Sequence, residues 1–213
     1  SAEVLRSTPP YIKKSDQAPR TDASTIRMVH LGIANPNRRI ENMIEIFRKL
    51  ESRFSFDLYL TGNQSYILRL KTLAKGIPNL RICAPVSPDS IISTLQNYDI
   101  GFYYLEPKGF NLKHSLPNKF FEFVQARLAV AIGPSPEMMK LVKEFDCGFI
   151  AESFKIDSMA KTLNSLDWDT VRAAKHSSNR AAQQLCAEKE WKKVDACLLK
   201  LCPIDTTNVS EPQ

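Results

Sequence analysis

Six short apolar runs, each rich in β-branched or aromatic side chains and each followed by a stretch with helical spacing, constrain this chain more than any other feature. The runs are IRMVHL at 26–31, FDLYLT at 56–61, LRIC at 80–83, DIGFYY at 99–104, LAVAI at 128–132 and CGFIA at 147–151. Their make-up predicts strands. After the first, Ile40, Met43, Ile44, Phe47 and Leu50 recur at helical intervals, with Asn35 or Asn37 available as cap and Pro36 near the first turn. Tyr66, Leu70 and Leu73 mark a second helix more weakly. Residues 88–97, 117–126, 136–145 and 156–166 supply four more, three of them opened by a proline that suits a first helical turn. Residues 170–201 read as two helices in succession. Strands that alternate with helices are parallel neighbours, because a parallel connection must travel back over the sheet and so covers its faces. The predicted fold class is therefore α/β: a Rossmann-like, doubly wound parallel sheet of about six strands with helices on both faces.

Composition narrows the function classes. The chain has 213 residues, 43% of them hydrophobic, and no apolar run approaches the roughly 18 residues of a membrane span. One domain with an ordinary core is expected over residues 25–202. Residues 1–24, which hold Pro9, Pro10 and Pro19 among polar neighbours, read as an extended lead-in, and 203–213 as a C-terminal tail. The 7 glycines are about half the usual share, which argues against a glycine-rich phosphate loop, so any phosphate site is expected to be built another way. Cys83, Cys147, Cys186, Cys197 and Cys202 fall in no CxxC pair and at no metal-ligand spacing from a histidine. Reduced, packing thiols in a cytoplasmic protein are expected, and no metal site. The net charge of +6 is spread along the chain: residues 27–53 carry six basic side chains against three acidic, and 172–200 seven against three. Solvated helix faces account for both stretches, so no nucleic-acid partner is expected. No signal or transit segment opens at Ser1.

Ligands of doubly wound sheets sit at the carboxyl ends of the strands, near the point where strand order reverses. The connection after the fourth strand, Leu105–Leu116, is long and ends in Pro117-Asn118-Lys119-Phe120-Phe121-Glu122-Phe123. A helix opening there offers unpaired amides and a positive dipole end, which suit a phosphate. Lys119 adds a point charge, and Glu122, one turn on, can accept hydrogen bonds from sugar hydroxyls. The plainer alternative is an i, i+3 surface ion pair worth a few tenths of a kcal/mol. His30 reads as a packed side chain of the first strand and His176 as part of a basic helix face. Asp167-Trp168-Asp169 imitates a DxD metal motif, but it lies between two late helices and reads as a helix cap.

The wider string, NLKHSLPNKFFE followed by FVQARLAVAIGPSPEMMKLVKEFDCGFI, resembles the C-terminal domain of group 1 glycosyltransferases of the GT-B fold. The residues that carry the likeness are Asn111, Ser115, Leu116, Pro117, Asn118, Lys119, Phe121, Glu122, Ala126, Val130 and Gly148. Weaker echoes are Gly32 with Arg38, Arg39, Ile40 and Glu41, then Leu60-Thr61-Gly62, Val86 and Trp191. The likeness covers about residues 25–202, and Thr8, Pro9 and Pro10 look like the family's interdomain linker. Departures exist. Where the fuller family signature has a first glutamate, eight positions before Glu122, stands His114, and Glu106 is no clean substitute. Arg127 replaces a usual Gly and Ala129 a usual Pro, which leaves open how tight the turn into the fifth strand is.

The resemblance implies a donor-binding domain that holds a nucleoside diphosphate sugar, with Lys119, Glu122 and Arg39 as catalytic residues. Gly32, Arg38, Val86, Asn111, His114, Ser115, Leu116 and Asn118 would bind the donor. Ribose would rest on Glu122, the nucleobase near Val86, and the diphosphate between Arg39, Lys119 and the helix start. No cofactor and no metal are implied. The partner would be an N-terminal acceptor-binding domain missing from this chain, which alone would bind but turn over poorly. Family habit points to polysaccharide or glycolipid biosynthesis in the cytoplasm, with room for peripheral association at the inner membrane face. Two other readings stay open: a GT-B-type nucleotide-sugar epimerase, and a non-catalytic α/β module that meets a partner or anionic surface through its basic C-terminal helices.

Overall fold

The computed structural model describes residues 4–13, 24–107 and 109–201. The expected tail at 203–213, Pro19 of the lead-in and Cys202 lie outside the described residues. Strands β1 (Ile26–Ala34), β2 (Phe54–Gly62), β3 (Leu80–Cys83), β4 (Ile100–Tyr103), β5 (Ala129–Ile132) and β6 (Gly148–Ile150) form one parallel sheet in the order β3-β2-β1-β4-β5-β6. Every run expected to be a strand is one. β1 and β2 are longer than their apolar runs because they pair in register from Ile26 with Phe54 to Ala34 with Gly62.

The connections hold α1 (Glu41–Phe47), α2 (Gln64–Ala74), α3 (Ile91–Leu95), α4 (Phe110–Lys113), α5 (Asn118–Gln125), α6 (Pro136–Phe145), α7 (Ile156–Asn164), α8 (Trp168–Gln184) and α9 (Ala187–Leu201). Nothing in the apolar spacing announces α4, a single turn inside the long connection after β4. Pro117 stands at the cap of α5, one place before the helix proper, and Pro136 opens α6 from its first turn. Helices α1, α2 and α7 cover one face of the sheet over Met28, Phe56, Phe102 and Ala131. On the other face α3, α5, α6 and the later half of α8 pack over Val29, Leu31, Val130 and Ile132. β5 sends alternate residues to both layers and all four are fully buried, which is why its sequence is apolar without a break.

Helix α5 sets the position of the site. Phe120, Phe121, Phe123 and Val124 are wholly buried, and burial of each phenyl contributes about 1.5–3 kcal/mol. The helix lies close on β4 because Gly101 has no side chain: a Cβ there would fall 2.2 Å from Phe123 Cγ. That approach brings the start of α5 to the carboxyl edge of the sheet.

Arg127 shows how the departure from Gly is accommodated. Its φ of 64° is left-handed, at a cost of about 1–2 kcal/mol for a non-glycine residue. The turn stays tight, with the Arg127 amide on the Val124 carbonyl at 2.9 Å. In compensation the buried guanidinium donates to Asn179 Oδ1 at 2.9 Å and to the carbonyls of Gln125 and Ile12, and it lies 5.3 Å from the centre of the Tyr11 ring. The lead-in is thereby more than a tether. Its residues 4–13 form no helix or strand but are anchored: the Ile12 amide bonds Gln125 Oε1 at 3.1 Å, the Tyr11 amide bonds Glu188, and the Arg6 amide bonds Glu190 Oε2 at 3.0 Å.

Candidate functional site

The chain order of the strands reverses between β1 and β4, and a cleft of about 420 Å³ opens at their carboxyl ends. Gly32 and Arg38 line it from the end of β1 and the 3-10 turn Pro36–Arg38, Val86 from the connection after β3, and Asn118, Lys119 and Glu122 from α5. These six are brought together from segments up to ninety residues apart in the chain. No side chain caps α5, and of its first-turn amides that of Phe120 bonds the Pro117 carbonyl at 3.0 Å. Lys119 Nζ donates to Glu122 Oε2 at 2.9 Å and to Oε1 at 3.2 Å, with the two side chains 27% and 15% exposed. The two alternatives for this pair thus coexist: it is an i, i+3 ion pair, and it is in the wall of the cleft.

The other expected site residues lie elsewhere. Arg39 takes a left-handed conformation, φ 48°, to close the 3-10 turn, which turns its guanidinium to Glu106 at 3.9 Å while Arg38 lines the cleft. The segment after α4 places its polar groups on partners outside the cleft. His114 Nδ1 is 3.7 Å from Glu137 Oε1, its ring lies tilted against Phe110 with centroids 4.6 Å apart, and Ser115 Oγ donates to the Leu112 carbonyl at 3.0 Å. Leu116 packs on the core beneath α5, and Asn111 is exposed on α4. None of Arg39, Asn111, His114, Ser115 and Leu116 lines the cleft. The expectation for Asp167 holds, since its carboxylate accepts the Thr170 amide at 2.7 Å and caps α8. His176 is exposed.

Some wall residues were not singled out from the sequence: Leu31 of β1, Tyr59 of β2 and Tyr103 of β4, which lie inside strands rather than after them, and Ile91 at the start of α3. Period-two alternation was the available signal, since side chains two apart on a strand share a face. Tyr59 is held from below. Asp57, 3% exposed, accepts Arg81 Nε at 2.8 Å and Tyr98 Oη at 2.6 Å, and the Tyr98 and Tyr59 hydroxyls are 2.9 Å apart. The carboxylate oxygen can only accept, so Tyr98 donates to it and Tyr59 donates in turn to Tyr98.

His30 is packed as expected, at 1% exposure, with Nδ1 2.9 Å from the Phe102 carbonyl. Burial above all, and the charges of Arg38 and Lys119 in lesser part, push its pKa from 6.5 down to about 4 against the raising effect of that hydrogen bond. The imidazole is therefore neutral at ordinary pH, and Nδ1 carries the proton because a carbonyl only accepts.

No protein-family model and no curated protein matches the chain in sequence. Solved structures do match in shape. WaaG, a glycosyltransferase involved in lipopolysaccharide biosynthesis, superimposes with a TM-score of 0.68 over 91% of this chain and 55% of its own, at 13% identity. The pneumococcal O-GlcNAc transferase GtfA, in complex with UDP and GlcNAc, gives 0.69 over 91% of this chain and 38% of its own, at 11% identity. Anabaena Alr3699/HepE, in complex with UDP and glucose, gives 0.67 over 84% and 49%, at 14% identity. The chain spans about half the length of the structures it matches, and what it shares with these glycosyltransferases is a fold: the Rossmann-like half of a GT-B architecture.

Proposed function

We propose that this chain is the donor-binding domain of a glycosyltransferase and that its cleft holds a nucleoside diphosphate sugar. The observation that carries the reading is the meeting of Lys119, Glu122, Arg38 and the uncapped start of α5 in one cleft at the strand-order reversal. Resemblance of the SLPNKFFE string to the family, and the shared fold, support it from two sides. Ribose hydroxyls would donate to Glu122, and the nucleobase would lie near Val86. The diphosphate would take the place of Glu122 as partner of Lys119, with Arg38, rather than Arg39, as the second cation. As the anomeric bond breaks, negative charge grows on the departing diphosphate, and amides and cations already fixed around it favour that state over the ground state. The acceptor would be bound by another domain, and the product would be a polysaccharide or glycolipid.

Titration of the purified chain with uridine and guanosine diphosphates tests the reading. One of the two should bind, and Lys119→Ala and Glu122→Ala should each weaken it by roughly ten- to a hundredfold, as loss of a charge-assisted hydrogen bond does. Binding untouched by both substitutions would discard the site.

A further inference from the structure

Two tyrosines stand in the wall of the cleft, one on each side of β1: Tyr59 on β2 and Tyr103 on β4. Both pack, with Leu31, into the layer that α5 covers, the layer from which Lys119 and Glu122 reach the cleft. Their hydroxyls differ. That of Tyr59 is tied to Tyr98 at 2.9 Å, and other core tyrosines likewise spend theirs on the protein: Tyr98 on Asp57 at 2.6 Å, Tyr66 on Glu41 and Tyr104 on the Lys155 carbonyl at 2.9 Å. The Tyr103 hydroxyl has no hydrogen-bond partner among the described residues, and it is not a sealed orphan either, so the atom opens into the cleft that its ring lines. The ring itself is half-buried against the core, which fixes where that oxygen stands. Burial pushes the phenol above its usual pKa of 10, with the charge of Arg38 pulling back in lesser part, so the group is a neutral O–H donor at ordinary pH.

We propose that Tyr103 is a diphosphate-binding residue of this cleft: its hydroxyl donates a hydrogen bond to a diphosphate oxygen of the bound nucleotide. The inference rests on the functional reading above. Strand order separates the two tyrosines along such a molecule. Tyr59 is on β2, next to the strand that leads to Val86 and hence at the nucleobase end, and its proton goes to Tyr98. Tyr103 is on β4, beneath α5 with its Lys119, and it lies within the field of Arg38. Two cations draw an anion to that end of the cleft, and a neutral O–H beside them completes its coordination without adding charge.

The experiment titrates the whole chain with uridine and guanosine diphosphates and with UDP-glucose and GDP-mannose. Tyr103→Phe keeps the packed ring, so its melting temperature should stay close to that of the native chain. Its affinity for the diphosphate that binds should fall roughly tenfold, and that for the matching sugar nucleotide by the same factor, because the lost contact is to the part they share. The salt dependence of binding should be unchanged in Tyr103→Phe and flattened in Lys119→Ala, since only the second removes a charge. In the native chain the carbon-13 resonance of Tyr103 Cζ, which needs no substitution in the protein observed, should move with the diphosphate alone. Native affinity in Tyr103→Phe beside a loss in Lys119→Ala, or a resonance that ignores the diphosphate, would overturn the role of Tyr103 while leaving the site. A loss confined to the sugar nucleotide would overturn it too, by assigning the hydroxyl to the sugar. Absence of any binding by the native chain would overturn the functional reading and this inference together.

Discussion

Burial keeps the proton off His30, and that has a consequence for acid stability. In the unfolded chain an imidazole protonates near 6.5, whereas in the fold His30 does so only at about 4. Between those values the unfolded chain binds more protons than the native one, so falling pH favours unfolding. The stability lost from pH 6.5 to pH 4 should be about 3 kcal/mol and should level off below that. Urea denaturation across this window, with the His30→Gln profile subtracted, measures it; equal profiles would show that His30 is not the proton acceptor. Tyr98 gives a second residue-scale expectation. Its hydroxyl links buried Asp57 to Tyr59, and burial together with the carboxylate pushes its pKa up. Tyr98→Phe should cost about 1.5–3 kcal/mol in the same assay, the worth of a hydrogen bond to a charged group.

Two elements are held in place by identifiable close contacts. Helix α5 reaches the sheet edge because Gly101 leaves room for Phe123. Gly101→Ala should destabilise by about 1–3 kcal/mol through overpacking. The cost should shrink in a Phe123→Leu background, where the ring is gone, and a double-mutant cycle reads that coupling. An additive cycle would mean that the glycine serves something other than the helix. The lead-in depends on Arg127, whose guanidinium holds the Ile12 carbonyl and the Tyr11 ring. Arg127→Gly relieves the left-handed backbone but strips the segment of one of its anchors. It should therefore release residues 4–13 to protease while costing about 1–3 kcal/mol of stability, whereas relief of strain alone would stabilise.

At the scale of the whole molecule, stability should be layered around the two strands where the chain order reverses. β1, β4 and β5 are paired on both sides and covered on both faces, while α4 and the outer turns of α9 bury little. Amide exchange should be slowest in β1, β4 and β5 and fastest in α4 and the last turns of α9. Much of this architecture was legible beforehand, because alternation of apolar runs with helical stripes is a local property of the chain and parallel topology follows from it. Lys119, Glu122 and the start of α5 were legible too, since helix start signals lie within a few residues of one another. Less could be read for Arg39: which of two adjacent arginines faces the cleft depends on a left-handed turn that neither side chain announces. Asn111, His114 and Ser115 were placed by a string, whereas in the fold Asn111 is exposed, His114 faces Glu137 of α6 and Ser115 bonds the Leu112 carbonyl, which the string does not record. Leu31, Tyr59 and Tyr103 come from strands far apart in the chain. Local periodicity, caps and turn residues therefore determined the elements, their order and the sheet. Only the tertiary structure decided which side chains share the cleft, because that follows from which strands become neighbours and how closely a helix can approach them.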